Sequence, residues 1–272
     1  MDAAQLLLWP LLACIAIAGI HAYLGFHVVQ RGVIFVDLAL AQVAALGTTL
    51  GFLLGHDLHS PAAVWFSIGS VVVGAALLSL LKAEKRRIPQ EAFIGIVYAV
   101  AAAGAILIVD RTPEGAEHIK FMFVGNLLAA SAAEVGWLAL LYAAIGVLHV
   151  AWRKPFFAIS HGETEHMSRG AVRFWDFLFY LTFGLVVTQS VAVAGVLLVF
   201  SYLIVPSVIA MLLADGARSR LAIGWITGVV VSVVGMLASY QFDLPTGAAV
   251  VTTFGVALAL VLAYRGVVAR SA

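Results

Sequence analysis

Long apolar runs dominate this chain, and polar residues are concentrated in short stretches between them. Runs of about 20 residues, the length that a helix needs to cross a bilayer, recur along the whole sequence. Single spans are predicted at 6–29, 34–54, 62–81, 92–109, 132–151, 221–240 and 248–264. The run 174–213 is long enough for two further spans joined around Gln189 and Ser190. The pattern therefore predicts nine spans, or eight if the long run crosses only once.

Helices are the spanning elements that fit this pattern. The runs lack the period-two alternation of barrel strands, and a helix satisfies its backbone hydrogen bonds within one segment. We therefore predict an all-α fold, a polytopic integral membrane helix bundle of about 8 to 9 transmembrane helices. Residues 1–272 are expected to form a single transmembrane domain. The first run lacks a basic stretch before it and exceeds a signal-peptide core, so we interpret it as a retained span.

Basic residues set the predicted orientation. Most of them fall on one side of the predicted spans: Arg31, Lys82, Lys85, Arg86, Arg87, Arg153, Lys154, Arg169, Arg173, Arg218, Arg220, Arg265 and Arg270. Only Arg111 and Lys120 fall on the other side. By the positive-inside rule, the N-terminus then lies outside the plasma membrane and the C-terminus is cytoplasmic. The loops 56–61, 110–131 and 241–247 face outward in this orientation.

Composition supports a membrane protein and narrows the candidate chemistry. Hydrophobic residues make up 63% of the chain and charged residues only 11%. A net charge of +1 gives no indication of nucleic-acid binding, and the lone Cys14 excludes an intramolecular disulfide. The sequence contains no His-Glu-x-x-His, no Gly-x-Ser-x-Gly and no phosphate-loop motif. We therefore expect a transport subunit rather than an enzyme, with no permanently bound cofactor and with any ATP hydrolysis on a separate chain.

Four polar residues inside the first two predicted spans are candidates for a transport path. Asp37 and Gln42 lie in the second span, and His21 and His27 lie in the first. Polar groups at such depth usually serve transport, and neutral imidazole binds divalent metals. Asp37 and Gln42 are separated by about 140 degrees around an ideal helix, so they do not share a face. Together they would be a poor bidentate ligand set, and we keep each of them as a candidate metal ligand. The alternative is that Asp37 only caps or offsets the positive end of its helix.

Polar loops on the two sides suggest different contacts. The outer loops concentrate imidazoles and carboxylates that would attract cations to a pore mouth or contact a delivery protein: His56, Asp57, His59, Glu117 and His118. The alternative is an ordinary solvated loop. On the inner side, the polar stretch 160–170 is long enough for a short helix parallel to the membrane. The surrounding loop 152–173 is the natural docking site for a separate ATPase.

Small residues and prolines predict how particular spans pack. Gly47, Gly51 and Gly55 form two overlapping Gly-x-x-x-Gly spacings, which allow a neighbouring helix to approach closely. Pro206 lies inside an apolar run. It removes one helix hydrogen bond there and should kink the segment.

Five blocks of sequence carry a resemblance to a known family. They are RGVIFVDLALAQVAALG (31–47), EAFIGIVY (91–98), HIKFMFVGNLL (118–128), GVLLVFSYLIVP (195–206) and DLPTG (243–247). In this order they resemble the permease subunits of the zinc, manganese and iron uptake branch of ABC transporters, over nearly the whole chain. Through the last block, the resemblance adds Asp243 to the outer-mouth candidates and Pro245 to the structural residues.

The resemblance implies a function and a set of partners. The transported substrate would be a divalent metal ion, and ATP would be used by two cytoplasmic ATPase subunits. An extracytoplasmic metal-binding protein would deliver the metal, and the permease would act as a homodimer or with a second permease. The loop 152–173 would carry the coupling helix, with Ser160, Glu163, Glu165, Arg169 and Gly170 as its candidate residues.

One departure from the family pattern bears on the cargo. The family usually places a carboxylate and a histidine four residues apart in the second span, whereas Gln42 occupies the histidine position here and Asp37 is displaced by one residue. Glutamine offers an oxygen ligand, which favours harder cations or leaves ligation to other residues.

Two alternatives remain open at the sequence level. The altered pair would also suit an ABC permease for a chelated or organic substrate. An ATP-independent secondary transporter would use the buried ionisable groups as a proton or ion relay. We find no convincing inverted repeat that would support the second alternative.

Overall fold

The computed structural model describes residues 3–57, 60–81, 88–110 and 125–271. These residues form ten α-helices and one 3-10 turn, with no strand among them. The helices are α1 (Ala3–Arg31), α2 (Val36–Leu53), α3 (Pro61–Leu81), α4 (Gln90–Val109), α5 (Ala132–Ala151), α6 (Arg153–His161), α7 (Arg169–Ala194), α8 (Val196–Leu213), α9 (Ala217–Phe242) and α10 (Thr246–Ser271). The predicted all-α fold is confirmed for this part of the chain.

Nine of the described helices are long and apolar enough to cross a membrane, all except α6. This number matches the sequence-based prediction in the ranges that the structure describes. The remaining helix, α6, has only 9 residues and one buried side, formed by Phe156, Ile159 and Ser160. Among the described α-helices, it is therefore the one that is too short to cross a membrane.

The long run 174–213 is divided at Gly195, not at Gln189 and Ser190 as predicted. Gly195 adopts a φ of 78°, a backbone conformation that side-chain-bearing residues rarely take. Ser190 stays within α7 because its hydroxyl donates a hydrogen bond of 2.6 Å to the carbonyl of Val186. The polar pair Gln189–Ser190 was the wrong signal for a helix boundary. A serine hydroxyl can bond to a carbonyl of its own helix, whereas a glycine with a left-handed backbone conformation interrupts the helix.

The short helix of the inner loop also lies earlier than predicted, at Arg153–His161 instead of within 160–170. Gly162 ends it with a φ of 77°. The amides of Gly162 and Glu163 bond back to the carbonyls of Ile159 and Ala158, at 3.3 and 2.8 Å. This is a glycine-dependent helix end, so the polar residues that follow cannot continue α6.

The described residues divide into two compact units. The first comprises 3–29, 125–142 and 192–271. In this unit, small residues let helices approach: a Cβ added to Gly228 of α9 would lie 2.8 Å from the Cβ of Ala18 in α1. Likewise, a Cβ on Gly235 would lie 2.7 Å from the Cα of Val250 in α10. Helix α8 runs through Pro206 without interruption.

The second unit comprises 30–57, 60–81, 88–110 and 143–191. Here α2 packs against α3 through glycines of the predicted spacing. A Cβ on Gly47 would lie 2.5 Å from the carbonyl oxygen of Phe66, and one on Gly51 would lie 3.3 Å from the Cα of Ala63. Gly55 differs, because it lies beyond the end of α2 with a φ of 89° and open space around its Cβ position.

Candidate functional site

Asp37 lies in the first turn of α2 and is only 1% exposed. Its carboxylate faces the backbone amides of Asp37 itself and of Leu38. This position suits an anion, because the N-terminal end of a helix carries partial positive charge. The Oδ1 atom nevertheless has no hydrogen-bond partner among the described residues. Helix capping thus accounts for only part of the carboxylate's bonding capacity.

Gln42 lies in the second turn of the same helix and is also 1% exposed. Within the described ranges, its Nε2 atom has no hydrogen-bond partner. A buried amide nitrogen without a partner is costly, so its burial in this position calls for an explanation. Asp37 and Gln42 are about 7.5 Å apart along the helix axis at the standard rise per residue. Asp37 and Gln42 are therefore two separate polar groups along α2, and they do not form one bidentate site.

A second carboxylate near Asp37 was missed at the sequence level. Glu91 lies in the first turn of α4, and both of its carboxylate oxygens are buried. It faces the backbone amides of Ile34 and Phe35, just before α2, and its charge acts on Asp37. The available signal was a carboxylate placed directly after Pro89, at the start of an apolar run. The second unit thus has two acidic groups at the beginnings of neighbouring helices.

The two histidine candidates belong to the first unit, on α1, and both are fully buried. The Nδ1 of His21 donates a hydrogen bond of 2.9 Å to the carbonyl of Ile17. A neutral ring that donates from Nδ1 carries its lone pair on Nε2. His27 packs edge-on against the rings of Tyr23 and Phe26, with centroid distances of 4.7 and 5.5 Å.

The outer-mouth candidates do not form a metal cluster in the part of the chain that the structure describes. His56 and Asp57 are exposed just after α2, and Asp243 is exposed at the end of α9, in the other unit. Asp243 has a φ of 51°, and Pro245 precedes α10. His59, Glu117 and His118 lie outside the described residues. Among the described histidines, cysteines and carboxylates, no group of three or more is placed to hold a metal ion.

The inner loop has a buried side and an exposed side. Ser160, on the buried side of α6, is 3% exposed. The other candidates of this loop are exposed: Glu163, Glu165, Arg169 and Gly170. The exposed group is accessible to a partner chain, whereas Ser160 contacts the interior of the second unit.

Ser160 belongs to a buried polar cluster around Arg31, the last residue of α1. Arg31 forms an ion pair of 2.8 Å with Asp176 of α7, and these side chains are 3% and 1% exposed. Its Nε donates a hydrogen bond of 2.9 Å to the Ser160 hydroxyl. The guanidinium also lies 3.8 Å from the centre of the Phe179 ring. Arg31, predicted as one of the inner-side basic residues, is thus a buried structural cation.

Neither Asp176 nor His149 was recognised as part of a site from the sequence. His149 is 1% exposed, shares a hydrogen bond of 2.9 Å with Thr182, and stacks on Phe156 at a centroid distance of 4.1 Å. Asp176 is a single carboxylate inside the aromatic stretch 174–180. An isolated charge in such a stretch is the signal that could have indicated a buried partner.

Comparison with known proteins identifies the family. Residues 3–265 match the model of the ABC 3 transport family. The chain belongs to this family. A probable iron transport system membrane protein of Haemophilus influenzae is 26% identical over 240 residues, covering 87% of this chain and 82% of that protein. The manganese transport system membrane protein MntC of Listeria monocytogenes is 25% identical over 245 residues, covering 89% and 84%.

A solved structure has the same fold. PsaBC from Streptococcus pneumoniae, in complex with Fab, superposes with a TM-score of 0.77 and 23% sequence identity. The match covers 96% of this chain and 93% of that one. With the family match and the nine candidate spans of the described residues, this ABC 3 protein is a multi-pass membrane protein, and its relatives named above are iron and manganese transport system membrane proteins. The resemblance stated from sequence blocks is confirmed.

Proposed function

We propose that this ABC 3 permease imports a divalent metal ion (zinc, manganese or iron) by using ATP hydrolysed on a separate subunit. The match of residues 3–265 to the family carries this proposal, because relatives across the family bear the names of iron and manganese transport proteins. The buried Asp37 Oδ1 atom, which has no hydrogen-bond partner among the described residues, supports it, since a cation in transit needs acceptor groups inside the membrane.

The transport path is proposed to include Asp37 and Gln42, with His21 and His27 as further candidates. A carboxylate and an amide oxygen are hard ligands, which suit manganese or ferrous iron better than zinc. Among the outer-mouth residues, we propose that His56, Asp57 and Asp243 attract the cation before it enters. The assignment of residues 1–272 to one transmembrane domain is part of the same proposal.

The proposed partners follow from the two sides of the protein. A cytoplasmic ATPase would dock on α6 and the exposed residues that follow it, while a metal-binding protein would deliver cargo from outside. The permease would work as a homodimer or with a second permease. This arrangement places the C-terminus in the cytoplasm, in agreement with the distribution of basic residues.

Metal content measured by elemental mass spectrometry tests the proposal. Cells lacking other importers would be grown under chelation, supplied with one metal at a time, and complemented with the wild type, Gln42→Ala or Gln42→His. We expect the wild type to restore one metal and Gln42→Ala to lose most of that uptake. Gln42→His should retain uptake and shift preference toward zinc, because imidazole nitrogen suits zinc well.

Gln189→Ala is the matched control, since Gln189 is a second intramembrane glutamine, half-buried on α7. It should leave uptake unchanged. Equal loss in both glutamine variants would remove Gln42 from the path. If the wild type restores no metal but restores growth on a chelate, the cargo is the chelated substrate. Uptake that persists without any ATPase would favour a secondary transporter.

A further inference from the structure

Three residues of the second unit, each from a different helix, meet at the Arg31 side chain. Arg31 is the last residue of α1, Ser160 lies on the buried side of α6, and Asp176 lies in the second turn of α7. Two hydrogen bonds of 2.8 and 2.9 Å join the guanidinium to Asp176 and to Ser160. Ser160 and Asp176, which are 129 and 145 positions away from Arg31 in the sequence, are thereby connected to the end of α1.

The Ser160 hydroxyl is bonded in two directions. It accepts a hydrogen bond from Arg31 Nε and donates one of 2.9 Å to the carbonyl of Phe156, one turn earlier in α6. Because Ser160 belongs to α6 and its hydroxyl is also bonded to that helix, the acceptor of the Arg31 hydrogen bond has a fixed place on α6. The Phe179 ring beneath the guanidinium restricts the arginine further.

Stability alone is a weak reason for such a cluster. A buried ion pair contributes little to net stability, because burying both charges costs about as much as their attraction returns. Apolar side chains of similar volume would hold three helices together equally well. The polar cluster adds something that apolar packing lacks: directional bonds between the short helix α6 and the two longer helices α1 and α7.

We propose that Arg31, Ser160 and Asp176 form a mechanical linkage that makes α1 and α7 follow the movement of α6. This inference rests on the proposed function, in which an ATPase subunit docks on α6. When the ATPase displaces α6, Ser160 moves Arg31, and with it the end of the helix that carries His21 and His27. Asp176 transmits the same displacement to α7. The three residues act as positioning residues and do not contact the cargo.

The ratio of transported metal to hydrolysed ATP tests the linkage. The permease, its ATPase and the metal-binding protein would be reconstituted in liposomes, with manganese ion as the probe. Ser160→Ala removes the bond from Arg31 but leaves the ion pair. We expect ATP hydrolysis to continue while manganese moved per ATP falls about tenfold, the factor expected from losing one hydrogen bond to a charged group.

Ser79→Ala is the matched control, because Ser79 is a buried serine of the same unit whose hydroxyl bonds the carbonyl of Ala76 in its own helix. It should keep the wild-type ratio. An unchanged ratio in Ser160→Ala would overturn the linkage. Failure of the wild type itself to move manganese, iron or zinc with ATP would instead overturn the proposed function.

A second variant separates the linkage from folding. In Arg31→Met combined with Asp176→Leu, apolar packing replaces the ion pair, so the protein should fold and bind the ATPase. The linkage predicts that this double variant hydrolyses ATP with a loss of transport per ATP at least as large as in Ser160→Ala, because it lacks both bonds of Arg31. Wild-type coupling in the double variant would show that helix packing alone transmits the movement, and the proposal would be wrong.

Discussion

At the residue scale, the Arg31–Asp176 pair shows how strongly burial depends on a partner. Each side chain is almost inaccessible, so either charge alone would be left in a low-dielectric interior. The positive-inside rule counts such an arginine as a topological marker without indicating this environment. Its proposed cytoplasmic-side position and its structural role are separate properties of the same residue.

Removing one charge of this pair should be severely destabilising. Asp176→Ala leaves Arg31 buried without its carboxylate, and we expect a loss of about 3–5 kcal/mol in the free energy of unfolding. Thermal unfolding of the detergent-purified protein, followed by tryptophan fluorescence, measures the effect. Glu163→Ala, which alters an exposed carboxylate, is the control and should unfold at the wild-type temperature. Equal unfolding temperatures for both variants would contradict the buried pair.

At the element scale, glycine contacts determine how closely α2 and α3 approach. Gly47→Ala would bring a Cβ within 2.5 Å of the Phe66 carbonyl oxygen, so one helix must shift. We expect destabilisation of about 1–3 kcal/mol, typical of overpacking. Gly69→Ala on α3 is the control, because its Cβ position has open space. The two unfolding temperatures provide the comparison, and a Gly47→Ala variant as stable as Gly69→Ala would be inconsistent with this close packing.

The end of α6 offers a second element-scale prediction. Gly162 takes a φ of 77° with nothing within 4 Å of its Cβ position, so substitution there is limited by backbone conformation alone. Gly162→Val should weaken the helix end by about 1–3 kcal/mol, whereas Gly162→Asn should be tolerated, since asparagine also adopts left-handed conformations. Hydrogen exchange of the α6 amides would detect faster opening in the valine variant only. Equal exchange rates in the two variants would show that the backbone conformation of Gly162 does not stabilise the end of α6.

At the scale of the whole molecule, the predicted orientation can be tested with single cysteines. In a Cys14→Ala background, Gln241→Cys and Glu163→Cys introduce exposed thiols at the end of α9 and after α6. A membrane-impermeant maleimide should label Gln241→Cys in intact cells and Glu163→Cys only after permeabilisation. The opposite labelling pattern would reverse the proposed topology.

Much of the architecture follows from local sequence patterns. Run length predicts the nine spans because one helix must cross about 30 Å of hydrocarbon with its backbone bonds satisfied internally. The Gly47 and Gly51 spacing predicts close packing because residues four apart share a helix face. These properties depend on neighbours in sequence, so they can be derived without knowing which helices meet.

The buried polar cluster depends on which helices meet, so only the tertiary structure could reveal it. Asp176 is the partner of Arg31 across 145 positions, and Glu91 of another helix faces the backbone amides of Ile34 and Phe35, just before α2. Helix packing in membranes is dominated by shape and by small residues, and periodicity along one helix does not specify its neighbour. The sequence by itself thus determined the helical type of the spanning elements and their number to within one. The tertiary structure decided which charges are buried together, because that pairing arises from contacts between distant segments.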